Sequence, residues 1–513
     1  MTTATTRTTD RAEASSAVDL IEVTNPATGE VVGTVPRLSP EQVADLVARA
    51  RAAQPAWEAL GFGERSRIFE RAKQWMLANR GQVAQTIIGE TGKTDEDAGL
   101  EINVAIESFG FWAKRSKGYL RDERVRTGVP LLLGRKIFVR YEPLGVVGVI
   151  GPWNYPLVNA FCDGVPALMA GNSVVLKPSK ETPLTAVLTA EMMRECGLPE
   201  DVLGIATGDR VAGEALIDET DFIMFTGSTE TGRKVMERAA KTMTQVSLEL
   251  GGKDPMIVLA DANLERAANG AAYYSMLNSG QVCISAERAY VEEPVYDRFV
   301  EMVTERVKNL RQGPAAGPGS VEVGAMTTPS QVDLVEAHVR DAVAKGARIT
   351  AGGERGDGPG DFFQPTVIAD ADHSMRCMTE ETFGPTLPIM KVRDADEAVR
   401  MANDSVFGLQ ASVWTKSQRR GEELARRVEA GACLVNDAMI NYAAFGAPMS
   451  GWKESGVSGR HGANGIRKYC RTQTITINRF PLKRDIYMMP YTPKVTRMLD
   501  RVTGLIHRRR FRR

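Results

Sequence analysis

Short, unbroken apolar runs, each bounded by Gly or Pro and each followed by a helical stretch, constrain this chain more than any other feature. They occur at Val146–Ile150, Ser173–Leu176 and Phe222–Phe225, with helical apolar spacing over Pro183–Cys196 and Thr231–Lys241. A strand without polar alternation must be covered on both faces, and intervening helices supply that cover in a parallel sheet. A second series runs from Pro255 to about Asn436, through Met256–Leu259, the helical Tyr296–Leu310 and Gln331–Lys345, and Gly431–Val435. Helical spacing over Pro40–Arg51 and Glu64–Asn79 precedes both. The expectation is an α/β chain with two open parallel sheets.

Two segments stand outside that plan. Lys136–Tyr141 and Thr472–Ile477 alternate as strands do and lie beside domain junctions. They read either as an edge that adds to a partner's sheet or as a local ribbon within one subunit. The Gly/Pro-rich stretches Gly313–Gly319 and Gly352–Gly360 read as surface loops.

Charge separates the tail from the body. The 513 residues carry 64 Lys+Arg and 64 Asp+Glu, yet Lys494 to Arg513 hold eight basic residues and one acid, so a +7 tail balances a −7 body. A globally basic nucleic-acid binder is excluded. No apolar run approaches the roughly 18 residues that span a membrane, and residues 1–18 lack the apolar centre of a secretory signal and read as a mobile arm. Six scattered cysteines without a knuckle or dithiol spacing fit a reducing, cytoplasmic setting. Four separated histidines give no metal centre.

Five places carry candidate chemistry. Phe222 to Gly232, F-I-M-F-T-G-S-T-E-T-G, is a strand running into a helix start, which offers free N–H groups to a phosphate. Its glycine spacing is G-x-x-x-x-G, not the Rossmann fingerprint. Cys283, in S-G-Q-V-C-I-S, follows a turn and is expected at a loop or helix start where thiolate is favoured. Glu249, in S-L-E-L-G-G-K, lies opposite Leu248 and Leu250, and the two glycines after it admit another backbone. Asn154, in G-P-W-N-Y-P, follows the Val146–Ile150 strand, where open α/β sheets bind ligands. Glu380-Glu-Thr-Phe-Gly-Pro385 places a carboxylate pair beside an aromatic turn. Taken singly, each also has an ordinary explanation: a plain turn, a packed thiol, an exposed carboxylate, a turn-forming Asn or a loop.

The ordered set P-W-N-Y-P, V-V-L-K-P, F-T-G-S-T-E-T-G, L-E-L-G-G-K, G-Q-V-C and E-E-T-F-G-P resembles the NAD(P)-dependent aldehyde dehydrogenase superfamily, from about Asn25 to Tyr469. The resemblance implies a Rossmann-like cofactor domain (19–122 and 143–251), a catalytic domain (252–450), a small β oligomerisation ribbon (123–142 and 467–480) and, outside the match, a basic amphipathic tail (490–513). It implies a homodimer or homotetramer acting on a small-molecule aldehyde.

The same resemblance assigns roles. Cys283 would add to the aldehyde, and the Asn154 amide with the Cys283 backbone N–H would hold the thiohemiacetal oxyanion. Hydride would pass to the nicotinamide, and Glu249 would activate water against the remaining thioester. Lys177 would bind the adenosine ribose, and Gly227, Ser228 and Gly232 the pyrophosphate. Glu381 would bind the nicotinamide ribose, with Trp153 and Phe383 completing the cofactor site. Lys180 stands where NAD-preferring relatives carry a glutamate, so NADP is expected beside NAD.

Two features bear on substrate. The run G-A-P-M-S-G-W-K-E-S-G-V-S-G-R-H-G is similar to the succinate-semialdehyde dehydrogenase branch, but Cys162 stands where that activity places a carboxylate-binding arginine. In the tail, Val495, Met498, Leu499, Val502, Leu505 and Ile506 recur at helical spacing among arginines, as in a helix that lies on an anionic membrane surface; a solvated tail is the plainer reading. Membrane contact would favour apolar aliphatic or aromatic aldehydes over succinate semialdehyde. A coenzyme-A-acylating enzyme or a non-enzymatic structural relative is a weaker expectation, because both Glu249 and Cys283 are present.

Overall fold

In the computed structural model, which describes residues 19–126, 129, 132 and 134–510 (side chains to 507), the apolar runs become strands of two sheets. The expected arm, 1–18, and the last three residues of the tail lie outside the described residues. The first sheet has six strands, in the order Gly456–Val457, Gln245–Glu249, Phe222–Thr226, Val146–Ile150, Ser173–Lys177 and Leu203–Ile205. All run parallel except Gly456–Val457, which closes one edge antiparallel. That edge strand lies beyond residue 450, where the sequence ended the second domain.

Burial explains why these segments are strands. Val146, Val175, Ile223, Phe225 and Leu248 share one core with Val43 and Val47 of the helix Pro40–Ala59. Fully burying such a side chain is worth about 1.5–3 kcal/mol. The helix begins at a capping box, in which the Ser39 side chain accepts from the Gln42 N–H and the Gln42 side chain accepts from the Ser39 N–H. Register brings the strand ends into step: Ile150 lies opposite both Lys177 and Phe225, and Thr226 opposite Glu249. One carboxyl edge therefore gathers the segments that carry Asn154, Lys177, Gly227 and Glu249.

The second sheet has seven strands, in the order Arg348–Ala351, Thr366–Ala369, Thr386–Val392, Arg288–Glu292, Pro255–Val258, Gln410–Trp414 and Ala432–Val435. Arg348–Ala351 is antiparallel to its neighbour and the others run parallel. Cys283 precedes Arg288–Glu292, and Glu381 and Phe383 precede Thr386–Val392, so these residues lie at the amino edge of this sheet. Both sheets belong to one compact unit, which among the described residues takes in 19–119 and 143–471.

A smaller unit takes in the described residues within 120–142 and 472–510. Its sheet has three strands, in the order Cys470–Asn478, Arg135–Pro143 and Glu123–Val125. The two alternating segments of the sequence are thus neighbours within one chain. The unit begins at Thr472, later than the 467 expected for the ribbon, because Tyr469 is fixed in the larger body, where its hydroxyl donates to the Asp163 carbonyl at 2.9 Å. The tail forms the helix Pro493–Arg510. Among the described residues no helix is long and apolar enough to cross a membrane.

Candidate active site

The G-P-W-N-Y-P turn leaves the carboxyl edge of the first sheet after Ile150 and is clamped by a buried ion pair. Lys93 Nζ meets Glu101 Oε2 at 2.9 Å and also donates to the Asn154 carbonyl at 2.8 Å. The other carboxylate oxygen of Glu101 accepts the N–H groups of Leu157 and Val158 at 2.8 and 3.1 Å. Held this way, Asn154 is buried, and its amide donates to the Gln281 carbonyl at 2.8 Å. An amide nitrogen has two hydrogens, so one remains for an oxyanion.

The cysteine segment arrives from the second sheet. After the helix Leu264–Met276 the chain passes through Asn278, Ser279 and Gly280, all with left-handed φ, and turns at Cys283. Gly280 is obligatory there: a Cβ would lie 2.0 Å from the Gly384 carbonyl oxygen. Cys283 is half-buried in a turn, one of the two positions expected for it, but the expectation of a favoured thiolate is corrected by its burial. Burial pushes its thiol up to about 12; Arg460 pulls it down, and Asp254, Glu249 and Glu381 add to the rise. The resting sulfur is a thiol.

Glu249 ends its strand buried, not exposed. One carboxylate oxygen faces the Arg460 guanidinium at 3.5 Å, and the other has no hydrogen-bond partner among the described residues. Burial pushes this carboxyl up to about 7, against the opposing pull of Arg460 and Lys468. Arg460 is itself anchored by a bidentate pair with Asp163, both contacts at 2.7 Å, and by the Thr226 hydroxyl at 2.5 Å. The glycines after Glu249 are close-approach positions: a Cβ on Gly252 would meet the Cys283 carbonyl at 2.4 Å, and one on Gly251 would meet the Glu381 carboxylate at 2.4 Å.

Cys283 lines two cavities. The first, about 180 Å³, is walled by Leu100, Val104, Tyr155, Val158, Met439 and Tyr442, among others. Among the described residues its one charged lining side chain is Glu101, already held by Lys93. Cys162, at the position of the expected arginine, lines neither this cavity nor the second one; it lies with Asp163 and Arg460 around a separate space of about 20 Å³.

The second cavity, about 250 Å³, brings together Trp153, Asn154, Gly227, Ser228, Glu381 and Phe383. Trp153 and Phe383 meet edge to face with centroids 5.4 Å apart. Ser228 caps the helix Thr229–Ala240, accepting from the Thr231 N–H at 3.3 Å. Glu381 accepts from the Gly252 N–H at 2.9 Å, and burial pushes its carboxyl up to about 8. The loop bearing it is fixed by Glu287, which accepts the N–H groups of Thr382 and Phe383 at 2.9 and 2.8 Å.

Other candidates take less direct places. The N–H groups of Gly227 and Gly232 are used internally, by the Glu249 and Ser228 carbonyls at 3.1 and 2.9 Å. Their contribution is steric, since a Cβ on Gly232 would strike Leu250 at 2.5 Å. Lys177 is buried, its pKa lowered by burial to about 8, and its ammonium donates to the Pro178 carbonyl at 3.0 Å. Lys180 is exposed and pairs with Glu181 at 3.1 Å. Neither lysine lines the second cavity. No group of three or more His, Cys, Asp or Glu is placed to hold a metal ion among the described residues.

The donor set fits a dinucleotide. An aromatic wall, a carboxylate for ribose hydroxyls and a capped helix start share one cleft, and the ammonium of Lys177, with one acceptor, keeps donors to offer. Lys93, Glu101, Asp163 and Glu287 were missed by sequence reasoning. Arg460 lay within a quoted motif but carried no assigned role.

Comparison with known proteins places the chain in a family. The model of the aldehyde dehydrogenase family matches residues 12–475. A protein of Mycolicibacterium smegmatis with the provisional name succinate-semialdehyde dehydrogenase [NADP(+)] is 40% identical over 455 residues, 88% of this chain and 87% of that one. The 4,4′-diapolycopene aldehyde oxidase of Methylomonas sp is 36% identical over 478 residues, 92% of this chain and 88% of that one. Among solved structures, an E. coli NADP dependent enzyme superposes with a TM-score of 0.86 at 34% identity, covering 90% of this chain and 95% of that one.

Proposed function

Because the chain belongs to the aldehyde dehydrogenase family, as an NAD(P)-using oxidoreductase acting on aldehydes, we propose that its centre oxidises apolar aldehydes to carboxylic acids through a thioester on Cys283. The observation that carries this reading is the place of Cys283, in the wall shared by a largely apolar cavity and the cleft lined by Trp153, Ser228, Glu381 and Phe383. An aldehyde seated in the first presents its carbon to the sulfur. The thiol proton leaves to a base as the S–C bond forms, and the Asn154 amide and Cys283 N–H receive the oxyanion. Glu249 suits the base, with one unpartnered oxygen and a carboxyl poised near neutrality.

Trp153, Lys177, Lys180, Gly227, Ser228, Gly232, Glu381 and Phe383 form the proposed cofactor site, and the chemistry supplied by a bound nicotinamide is acceptance of hydride. Lys180 favours NADP as well as NAD. After oxidation the acyl carbon remains on Cys283 as a thioester. Glu249, having released the thiol proton to solvent, then takes a proton from water as it attacks that carbon, and the carboxylic acid leaves as that proton passes to the departing sulfur. The domain roles follow from the same reading: the six-stranded sheet carries the cofactor side and the seven-stranded sheet the thiol. A homodimer or homotetramer through the ribbon, and a peripheral membrane contact through the basic tail helix, belong to it as well.

Succinate semialdehyde is the second candidate, supported by the names of relatives at 40% identity. The cavity favours the apolar class, because among its described lining residues, which are largely apolar with Asn159 and several tyrosines, the one charged group is the carboxylate of Glu101 and no cation awaits a second carboxylate. The Methylomonas relative, named for a hydrocarbon-derived aldehyde, points the same way. The test is reduction of NAD and NADP with hexanal, benzaldehyde and succinate semialdehyde, beside a Cys283→Ala control. Activity surviving in the control would overturn the mechanism.

A further inference from the structure

We propose that the segment from Arg479 through the helix Pro493–Arg510 is a docking surface for an anionic lipid bilayer, with Met498, Val502 and Leu505 as the inserting edge. The proposal deepens the peripheral contact named above and is independent of the substrate assignment. From Arg479 to Arg513 there are eleven basic residues and two acids, and one of those acids, Asp485, is already held by Arg135 at 3.0 Å and by the Tyr487 hydroxyl at 2.7 Å.

The helix sorts its residues by face. At 100° per residue, Val495, Met498, Leu499, Val502, Leu505 and Ile506 share one side, and Lys494, Arg497 and Arg501 follow one flank of it. Val495, Leu499 and Ile506 are half-buried. Met498, Val502 and Leu505 are exposed, Leu505 by 67%, and they form the edge of the apolar side that adjoins the basic stripe. An exposed apolar strip bordered by cations is the arrangement that seats a helix in the headgroup layer of an anionic leaflet. The preceding loop adds Phe480, Leu482, Met489 and Tyr491, between 68% and 75% exposed, and aromatic side chains favour the membrane–water boundary.

Charge selects the occupant. A second copy meeting this face about a two-fold axis would set the cationic surface against itself, whereas an anionic leaflet complements it, at about fivefold in partitioning per basic residue.

The test uses the full chain, sedimented with vesicles of phosphatidylcholine alone or with added phosphatidylglycerol, at low and high salt. Light scattering and hexanal oxidation are followed in parallel. The expected result is pelleting with phosphatidylglycerol vesicles that fades with salt. Arg497→Ala/Arg501→Ala should reduce partitioning about 30-fold and Met498→Ser/Leu505→Ser should also weaken it, both with unchanged particle mass and activity. Equal pelleting with both vesicle types, variants that bind as the parent does, or a variant of lower particle mass would overturn the proposal; the last would assign the face to a subunit contact. Binding is read without aldehyde. An inactive enzyme that still pellets on anionic vesicles therefore supports this proposal while refuting the functional reading, and an active one that stays in solution does the reverse.

Discussion

Lengthening an unbranched aldehyde is the most discriminating perturbation of the first cavity. Its wall is apolar, and its volume of about 180 Å³ can take a short alkyl chain. Each methylene moved from water into such a wall is worth about 0.8 kcal/mol, about fourfold in kcat/KM when the contact is kept in the transition state. From butanal to hexanal the gain should be about 15-fold, levelling off once the cavity is full. Succinate semialdehyde has the same four-carbon chain as butanal but ends in a carboxylate, which would have no cation to meet. A buried, uncompensated charge costs several kcal/mol, so its kcat/KM should fall more than 100-fold below that of butanal. The assay is initial-rate nicotinamide reduction over the alkanal series with both cofactors. Val104→Arg, which places a guanidinium in the wall, should narrow the gap at least tenfold. Succinate semialdehyde matching or exceeding hexanal in the parent enzyme would refute the reasoning.

Further predictions concern the groups around the thiol. Activity should rise with pH through about 7, because Glu249 accepts a proton only when ionised and burial has raised its pKa to that range; a pH profile of kcat/KM reads this limb. Arg460→Gln removes the cation that favours the ionised form, so the limb should move to higher pH, and urea denaturation should show a loss of about 3–5 kcal/mol from the orphaned Asp163. Glu101→Gln leaves Lys93 without its counter-charge, and the Asn154 turn should loosen at a cost of similar size, about 3–5 kcal/mol, with kcat falling more than KM rises. Lys180→Ala should lower kcat/KM for NADP by about fivefold, the upper range for an exposed charge pair, and leave NAD nearly unchanged; equal losses with both would refute its role.

What could be read from sequence followed from local rules. Continuous apolar runs placed five of the parallel strands within a residue or so, because burial on both faces leaves no alternative pattern, whereas Arg288–Glu292, Thr386–Val392 and Gln410–Trp414 were not singled out. The pair Gly251-Gly252 announced a close approach, and the structure supplies its partners, the Glu381 carboxylate and the Cys283 carbonyl. Long-range electrostatics left no such mark. Asp163 and Arg460 are 297 positions apart and Lys93 lies 61 from Asn154, and neither pair has a spacing that helix or strand geometry would single out. The apolar cavity draws on residues near 100, 158, 274, 283 and 440, so its character emerges only when five segments converge. The thiol was misjudged for a related reason: Ser279-Gly280 upstream of it are small and turn-prone, while the cluster that buries it adds Leu409, Met439 and Met449 from distant elements.

That protonated thiol has a consequence for the lifetime of the protein. Peroxides attack thiolates, and oxidation beyond the sulfenic stage is irreversible for most cysteines. With burial pushing its pKa up to about 12, Cys283 at pH 7 is ionised far less often than an ordinary cysteine, of which a few per cent is thiolate. Between turnovers the sulfur is therefore a poor target for oxidants. Its exposure to that damage is confined to the moments when a base has taken its proton and an aldehyde is already competing for it.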